Sequence, residues 1–309
     1  MNIVDIERRS CAGDPDLGEY FAPDTRRPVI LTDAFEHWPA QRKWSWEYFK
    51  THCYDDIGKL NLGFESDCYK LLTRLGAFIE NLDTDMSAIP GFWLDKDDRH
   101  CDLPADPGRY GQGWSYCWNA FALHPQLRAD IDPFPACVPN LLATVPGGLR
   151  ETIESICGLE TSTLYLSRIG AIAPFHVDFF HTFGSLFQFE GTKDVWFAAP
   201  GVGQGGALQN FDPGRPGFER DPDLSGAVIY HATLEPGQCV IIPPDWWHAV
   251  RAIDQSMTLS CNFFNEFNFP EFMACFLKAA LEDKRGADHI ETLDRLCQVG
   301  AARNYGDKA

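Results

Sequence analysis

Two histidines and an aspartate stand in a pattern that can hold a metal ion. His176 and Asp178 lie two residues apart, and a third candidate, His248, follows the segment Pro243–Trp247. Because side chains two apart on a β-strand project from the same face, we expect His176 and Asp178 to lie side by side. With His248 they form the ligand set of a 2-His-1-carboxylate triad, which binds Fe(II) on one face and leaves the opposite face open to a co-substrate and O₂.

Short strands separated by turns surround these residues. The turns contain Gly or Pro, as in Glu235-Pro236-Gly237. Many short strands with regular turns favour a sandwich or a barrel. The strands predicted between about residues 160 and 268 are Thr163–Ile169, Ser185–Glu190, Lys193–Ala198, Ala227–Tyr230, Cys239–Ile242 and Met257–Phe264.

The residues before this β-rich zone are predicted to mix strands with helices. Pro28–Asp33 has the composition of a buried strand. Ser45 is predicted to be the N-cap of a helix that begins at Trp46. Apolar residues along 69–82 recur with helical spacing, so this stretch is predicted to be a helix.

Two apolar helical stripes follow the β-rich zone. One contains Phe272, Phe276 and Ala280, and the other contains Ile290, Leu293 and Cys297. Helices of this kind either cap their own β core or pair with their counterparts in a homodimer. The amount of apolar surface favours the homodimer.

Composition limits the classes of partner. With 309 residues, 45% of them hydrophobic, the chain can bury the core of one domain with embellishments or of two domains. Its 23 Phe and 9 Trp suit an aromatic-walled pocket. The net charge of −18 and the lack of Lys/Arg clusters argue against nucleic acid as a partner. The acidity has two interpretations: solubility, or a basic peptide or protein substrate.

The cysteines and the apolar runs predict a cytoplasmic protein. The eleven cysteines are odd in number, scattered and without a C-x-x-C pair, which is typical of reduced thiols. The first nine residues contain no apolar signal-peptide core. No apolar run approaches the length of a membrane span.

The β-rich zone resembles the JmjC-type (cupin-fold) Fe(II)/2-oxoglutarate oxygenases, in particular their small hydroxylase branch. The resemblance rests on His176-x-Asp178, on Gly191–Phe197 followed by Pro200, and on Pro243-x-x-Trp246-Trp247-His248. It covers about residues 20–270. It implies a mainly β fold with α additions, in which residues 1–268 form the oxygenase domain. That domain would contain an N-terminal mixed α/β region and a double-stranded β-helix (jelly-roll) core at about 160–268, with C-terminal helices over 269–309.

The same resemblance implies roles for four residues. His176, Asp178 and His248 would bind Fe(II), and Lys193 would pair with the distal carboxylate of 2-oxoglutarate. Lys193 alternates with apolar residues along its strand, so it is predicted to point inward, where a lysine without an anionic partner is costly. The alternative is that Lys193 is an outward turn residue after Gly191-Thr192.

Polar residues at three further positions match those that surround 2-oxoglutarate in the resembled enzymes: Tyr116, Thr258 and Asn262. For each of them, a purely structural hydrogen bond is the alternative. The chain departs from the family pattern at Ala173, where many relatives have a Thr or Ser that helps to bind the co-substrate. The roles of His181 and Ser185 stay open.

The implied reaction is hydroxylation of a substrate C–H bond, coupled to conversion of 2-oxoglutarate and O₂ into succinate and CO₂. A protein or peptide side chain is the preferred substrate, and a small molecule is the alternative. Two other classes stay open: a non-catalytic cupin-fold binding protein, and a zinc-dependent or other non-oxygenase cupin enzyme. Loops 96–113 and 200–222 are predicted to set substrate specificity.

Overall fold

The computed structural model describes residues 1–13, 16–62, 68–102, 113, 115–145, 147–157, 161–203, 208, 212–213, 217 and 224–282. The predicted stripe at Ile290, Leu293 and Cys297 lies outside the described residues, as do large parts of the two predicted specificity loops.

Strands dominate the described chain. In chain order they are β1 (Asn2–Asp5), β2 (Glu7–Arg9), β3 (Val29–Leu31), β4 (Ile57–Leu62), β5 (Tyr69–Arg74), β6 (Phe92–Leu94), β7 (His100–Cys101), β8 (Tyr116–Trp118), β9 (Ser162–Ser167), β10 (Ile172–His176), β11 (Phe183–Glu190), β12 (Lys193–Ala198), β13 (Val228–Leu234), β14 (Cys239–Ile242), β15 (Trp247–Ala252) and β16 (Ser256–Phe263).

Helices are short except near the end of the described chain. They are α1 (Gly18–Phe21), α2 (Ala40–Lys43), α3 (Trp46–His52), α4 (Leu75–Glu80), α5 (Ala120–Leu123), α6 (Gly147–Cys157) and α7 (Phe269–Glu282), with 3₁₀ turns at Met86–Ala88, Pro125–Ile131 and Leu142–Thr144. The predicted cap of α3 is confirmed, because the Ser45 hydroxyl accepts a hydrogen bond from the Tyr48 amide at 3.1 Å. No helix among the described residues combines the length and apolar character needed to cross a bilayer.

Eight strands form the jelly-roll core that the sequence predicts. In the smaller sheet they run β13-β12-β15-β10, and in the larger one β14-β11-β16-β9. All neighbours within these two sets are antiparallel. Side chains from both sheets, including Leu186 and Ile242 from the larger and Val195 and Phe197 from the smaller, form one apolar cluster. Burial of these side chains holds the two sheets together.

The N-terminal region extends both sheets. Strand β1 adds in parallel to β13, and β2 and β3 continue the larger sheet beyond β14. On the other side, β8 pairs with β9 and leads to β4, β5, β6 and β7. The larger sheet therefore contains eleven described strands, and the jelly roll is open to the N-terminal region along that edge.

One predicted helix in this region is wrong over half its length. Residues 69–74 form β5, and only Leu75–Glu80 form a helix. Strand β5 pairs along its whole length with β4, with Leu71 opposite Leu60. Because Leu71 and Thr73 are both buried on one face of β5, its period is two, and the helical spacing read across 69–82 joined two different elements.

Helix α7 caps its own chain. Phe272, Phe276 and Ala280 are buried in a cluster with residues of α6 such as Leu149 and Ile153. The described part of the first C-terminal stripe is thus covered without a second subunit. Leu277 and Leu281 on the same helix are exposed, at 40% and 82%.

Candidate metal centre

The three predicted metal ligands converge at one end of the jelly roll. His176 is the last residue of β10, and His248 is its register partner on β15, so the centroids of the two imidazole rings lie 4.1 Å apart. Asp178 follows β10 in a loop. The side chains of His176 and Asp178 do lie close together, as predicted. The predicted reason is wrong, because Asp178 is not on the strand. Strand β10 ends at His176, and the Asp178 carboxylate meets both imidazoles from the loop that follows, which turns at Phe180 and His181, both with positive φ.

The donor atoms of the triad face one another. Asp178 Oδ1 lies 3.6 Å from His248 Nε2 and 4.0 Å from His176 Nε2. All three donor atoms are within 4.8 Å of one another. Donor atoms that bind one divalent ion at about 2.0–2.2 Å are roughly 3–3.5 Å apart, so small side-chain movements would complete the site.

Backbone carbonyls fix the tautomer of both histidines. His176 Nδ1 donates to the Pro174 carbonyl at 2.8 Å, and His248 Nδ1 donates to the Trp246 carbonyl at 3.1 Å. With the hydrogen on Nδ1, each Nε2 carries a lone pair for a metal ion. Burial, together with the neighbouring His176, lowers the pKa of His248 to about 4, so this ligand is neutral at pH 7.

Asn262 holds the carboxylate of Asp178. The Asn262 amide donates to Asp178 Oδ2 at 3.0 Å and to Thr182 Oγ1 at 3.2 Å, which leaves Asp178 Oδ1 turned toward the histidines. Opposite Asn262 on β11 stands Gly184, where a Cβ atom would lie 3.0 Å from Asp178 Oδ2. The structure thus places Asn262 beside the metal ligand, although the sequence associated it with 2-oxoglutarate.

Replacing Asn262 by alanine is expected to weaken Fe(II) binding by about 10- to 100-fold, because a carboxylate ligand loses the hydrogen bond that orients it. Metal titration of the purified variant measures this. Thr182→Val is the matched control, since it removes the second partner of the same amide but leaves the bond to Asp178. If Asn262→Ala binds Fe(II) with unchanged affinity, Asn262 does not orient the ligand.

A cavity of about 980 Å³ opens onto the triad. The smaller sheet contributes Lys193 and Val250 to its walls, and the larger sheet contributes Leu186, Ile242 and Thr258. Its apolar walls exclude water from the reacting groups, while its polar groups can orient a ligand. Ala173 also lines this cavity.

Lys193 is a buried cation in this cavity. Its side chain is 3% exposed, which rules out the alternative of an outward turn residue. In the described part of the chain, no ion pair joins Lys193 to a carboxylate, and burial lowers the pKa of its ammonium group to about 7. A buried lysine without an anionic partner costs free energy, and a carboxylate ligand would offset that cost.

The other two predicted co-substrate residues differ in their placement. Thr258 lines the cavity, but its hydroxyl donates to Gln188 Oε1 at 2.7 Å. Tyr116 does not line the cavity: its ring stacks on Phe78 with centroids 4.5 Å apart, and its hydroxyl donates to the Thr73 carbonyl at 3.1 Å. The prediction for Tyr116 is therefore corrected to a core role.

Strand register explains the misplacement of Tyr116. Its neighbour Cys117 faces the cavity, opposite Tyr165 on β9. Tyr165 in turn is the register partner of Thr258. Tyr165 and Ser260, both cavity residues, were missed by the sequence analysis. For Ser260 a signal existed, because it alternates with Thr258 and Asn262 on β16 and must share their face.

The two residues with open roles are structural. His181 Nδ1 lies 2.7 Å from Asp245 Oδ1, so this polar contact joins the loop after Asp178 to the turn before His248. Ser185 is buried and donates to the Cys261 carbonyl at 3.0 Å.

The donor set fits Fe(II) and 2-oxoglutarate. Two imidazole Nε2 atoms and one carboxylate suit a borderline divalent metal, and three protein ligands leave coordination positions for a chelating co-substrate and O₂. Lys193, which is buried and has no anionic partner among the described residues, offers a cation in the same cavity that could pair with the far carboxylate of a dicarboxylate.

Comparison with known proteins agrees with this chemistry. Lysine-specific demethylase 8 of Xenopus tropicalis is 26% identical over 78% of this chain and 48% of its own length. Jumonji C domain-containing protein 5 of Drosophila melanogaster is 23% identical over 80% of this chain and 57% of its own length. The 2-oxoglutarate and iron-dependent oxygenase JMJD4 of Mus musculus is 29% identical over 38% of this chain and 30% of its own length.

The chain spans about half the length of the first two of these curated relatives. The names of the Drosophila and mouse relatives, together with the family model described next, confirm the resemblance to JmjC-type enzymes that the motifs around His176 and His248 predict. A family model described as a cupin-like domain matches residues 21–269, which is most of the chain. The chain therefore belongs to the cupin-like domain family.

Proposed function

We propose that this protein is an Fe(II)- and 2-oxoglutarate-dependent oxygenase that hydroxylates a C–H bond on a protein or peptide side chain. The convergence of His176, Asp178 and His248, with both Nε2 lone pairs available, is the observation that carries the proposal. Lys193 in the same cavity supports the co-substrate assignment.

The residues have distinct tasks in this reaction. When bound, the metal and co-substrate supply the oxidation: one oxygen atom of O₂ enters succinate as CO₂ is released from 2-oxoglutarate, and the other enters the substrate C–H bond. His176, Asp178 and His248 hold the metal by one face. Lys193 binds the far carboxylate of the co-substrate and thereby orients it. Leu186, Ile242 and Val250 keep the site poor in water.

Product analysis tests this proposal. The full chain is incubated with Fe(II), 2-oxoglutarate, O₂ and pools of synthetic peptides or small-molecule metabolites, and succinate is quantified beside substrate mass. We expect one succinate for each product that gains one oxygen atom. A product that instead loses a methyl group would assign demethylation. Zinc-dependent turnover without succinate would favour a non-oxygenase cupin enzyme, and 2-oxoglutarate binding without any turnover would favour a binding protein.

We also propose that the protein is a homodimer built on its C-terminal helical region. The exposed Leu277 and Leu281 on the outer side of α7 support this, because an apolar side chain that is mostly exposed in a monomer gains from a partner. Light scattering at micromolar concentration is expected to give a mass near twice 34.8 kDa. A mass near 34.8 kDa would leave α7 as a cap on its own domain.

A further inference from the structure

A second, smaller cavity adjoins the candidate metal centre. Its volume is about 280 Å³, and it shares Arg128 and Asn262 with the larger cavity. Asn262 is the residue whose amide holds the metal ligand Asp178. A group bound in the smaller cavity would therefore be separated from the metal centre by little more than one side chain.

Two arginines line this smaller cavity. Arg128 comes from the 3₁₀ turn Pro125–Ile131, and Arg150 comes from helix α6. Both arginines influence the Cys261 thiol. Burial raises the pKa of this thiol to about 11, and the hydrogen bond with Ser162 and the charges of Arg150 and Arg128 oppose the rise. Burial, with the like charge of Arg128, also lowers the pKa of Arg150. Both arginines line this one cavity, so a single ligand in it can contact both guanidinium groups.

Each arginine has one buried nitrogen without an acceptor among the described residues. Arg150 Nη2 donates to the Leu142 carbonyl at 3.1 Å, but Arg150 Nε has no partner in the described part of the chain. Arg128 packs over the Phe121 ring at 5.1 Å, and its Nη1 atom likewise has no partner among the described residues. Buried donors that lack an acceptor are costly, and most proteins provide one.

The neighbouring acids do not meet this need. Glu154 Oε1 accepts from the amide and hydroxyl of Thr161 at 3.0 and 2.5 Å, and its Oε2 atom remains 3.9 Å from Arg128 Nη2. Asp132, at the rim, is exposed. A carboxylate in the cavity would present two oxygens to the arginines that line it, and guanidinium groups pair with carboxylates in a two-pronged geometry. A doubly charged phosphate is disfavoured, because Glu154 and Asp132 already bring negative charge to the cavity.

We propose that Arg128 and Arg150 bind a carboxylate of the substrate, so that the hydroxylated molecule is acidic beside its reacting C–H bond. This inference rests on the proposed oxygenase function, since it assumes that the larger cavity holds the co-substrate and the reacting carbon. It differs from one of the two interpretations of the net charge of −18, that of a basic peptide or protein substrate, and is compatible with the other, solubility.

Arginine side-chain NMR tests the inference without any turnover. The full chain is saturated with Zn(II), which is diamagnetic and redox-inert, and with 2-oxoglutarate, so that the larger cavity is filled first. The Nε–Hε signals of Arg128 and Arg150 are then followed during titration with acetyl-Ala-Asp-Ala-amide, its Asn counterpart, propionate and inorganic phosphate.

We expect the Asp peptide or propionate to shift both arginine signals and the Asn peptide to shift neither. Tighter binding of the peptide identifies a peptide carboxylate, and equal binding of propionate identifies a free acid; both outcomes support the proposal. Arg128→Gln and Arg150→Gln should each weaken binding roughly 10-fold or more. Arg99→Gln, at a side chain that is 71% exposed, should not.

Arg128→Lys and Arg150→Lys keep the charge and guard against misfolding, and they should retain part of the affinity because they lose only the two-pronged geometry. Absence of shifts with every carboxylate, or stronger binding of phosphate than of either carboxylate, would overturn the inference. Failure of the wild-type chain to bind Zn(II) and 2-oxoglutarate would instead count against the proposed function, so the two failures are distinguishable.

Discussion

Replacing Asp178 by alanine is expected to abolish Fe(II) binding and 2-oxoglutarate turnover together. Asp178 is the single anionic ligand of the triad, and its Oδ1 atom lies between the Nε2 atoms of His176 and His248. Its loss leaves two imidazoles and no anionic ligand, a set that binds a divalent cation far more weakly. Because loss of an outer-sphere partner alone costs about 10- to 100-fold in affinity, loss of the ligand should cost at least about 100-fold.

The Asp178→Ala experiment combines metal titration with succinate quantification. Asp254→Ala is the control, since Asp254 is exposed and its carboxylate accepts only from the Thr192 hydroxyl among the described residues. The control should keep wild-type affinity and turnover. Full activity in Asp178→Ala would show that the triad assignment is wrong.

Replacing Lys193 by methionine is expected to stabilise the free protein while it weakens 2-oxoglutarate binding. Methionine keeps the length and apolar stem of the side chain but removes a cation that has no anionic partner in the described structure. The lowering of the Lys193 pKa from 10.5 to about 7 corresponds to roughly 4 kcal/mol of destabilisation at pH 7. The lost charge-assisted bond should weaken 2-oxoglutarate binding by about 10- to 150-fold.

The lowered pKa of Lys193 also predicts in which direction the stability of the protein changes with pH. Between pH 7 and 10.5 the unfolded chain binds more protons at Lys193 than the folded chain does, so the stability of the free wild type should rise with pH across that window. The destabilisation is full below pH 7 and disappears above 10.5. The variant should lack this slope. Denaturant unfolding at several pH values measures it, and a less stable variant would contradict the account.

Co-substrate affinity should change in the opposite direction with pH. A carboxylate needs the protonated form of Lys193, whereas above pH 7 the free protein holds mostly the neutral amine. The 2-oxoglutarate affinity should therefore fall by up to about tenfold per pH unit above 7, with uptake of close to one proton. Calorimetry in buffers of different ionisation enthalpy measures the proton uptake, which Lys193→Met should eliminate.

The jelly-roll strands could be predicted from the sequence because each has local signals. Strands β12 and β14 have the predicted bounds, since Gly191-Thr192 and Pro243 mark their ends. No bounds were predicted for the ligand-bearing strands β10 and β15, although the spacing of His176 and Asp178 was interpreted as that of a strand. Their residues owe their strand conformation to pairing with each other across the sheet, which no local pattern records.

Site residues could be predicted where their spacing along the chain is sufficient to identify them. They were harder to predict where strand register determines which side chains face the cavity. Lys193 follows from its alternation along β12. Tyr116 was misplaced because nothing in the sequence tells which face of the short strand β8 meets the cavity. The pair Arg128 and Arg150 could not be found in advance, because their proximity depends on how α6 packs beside the 3₁₀ turn at Pro125–Ile131.

The most direct test of the central claim is anaerobic calorimetric titration of 2-oxoglutarate into the full chain, with and without Fe(II). We predict one 2-oxoglutarate bound per chain, with an affinity at least about tenfold lower without the metal, because chelation and Lys193 hold the same molecule. Asp178→Ala should bind as the metal-free wild type does. Absence of binding, or an affinity that does not depend on Fe(II), would contradict the assignment of this cavity to an Fe(II)/2-oxoglutarate oxygenase.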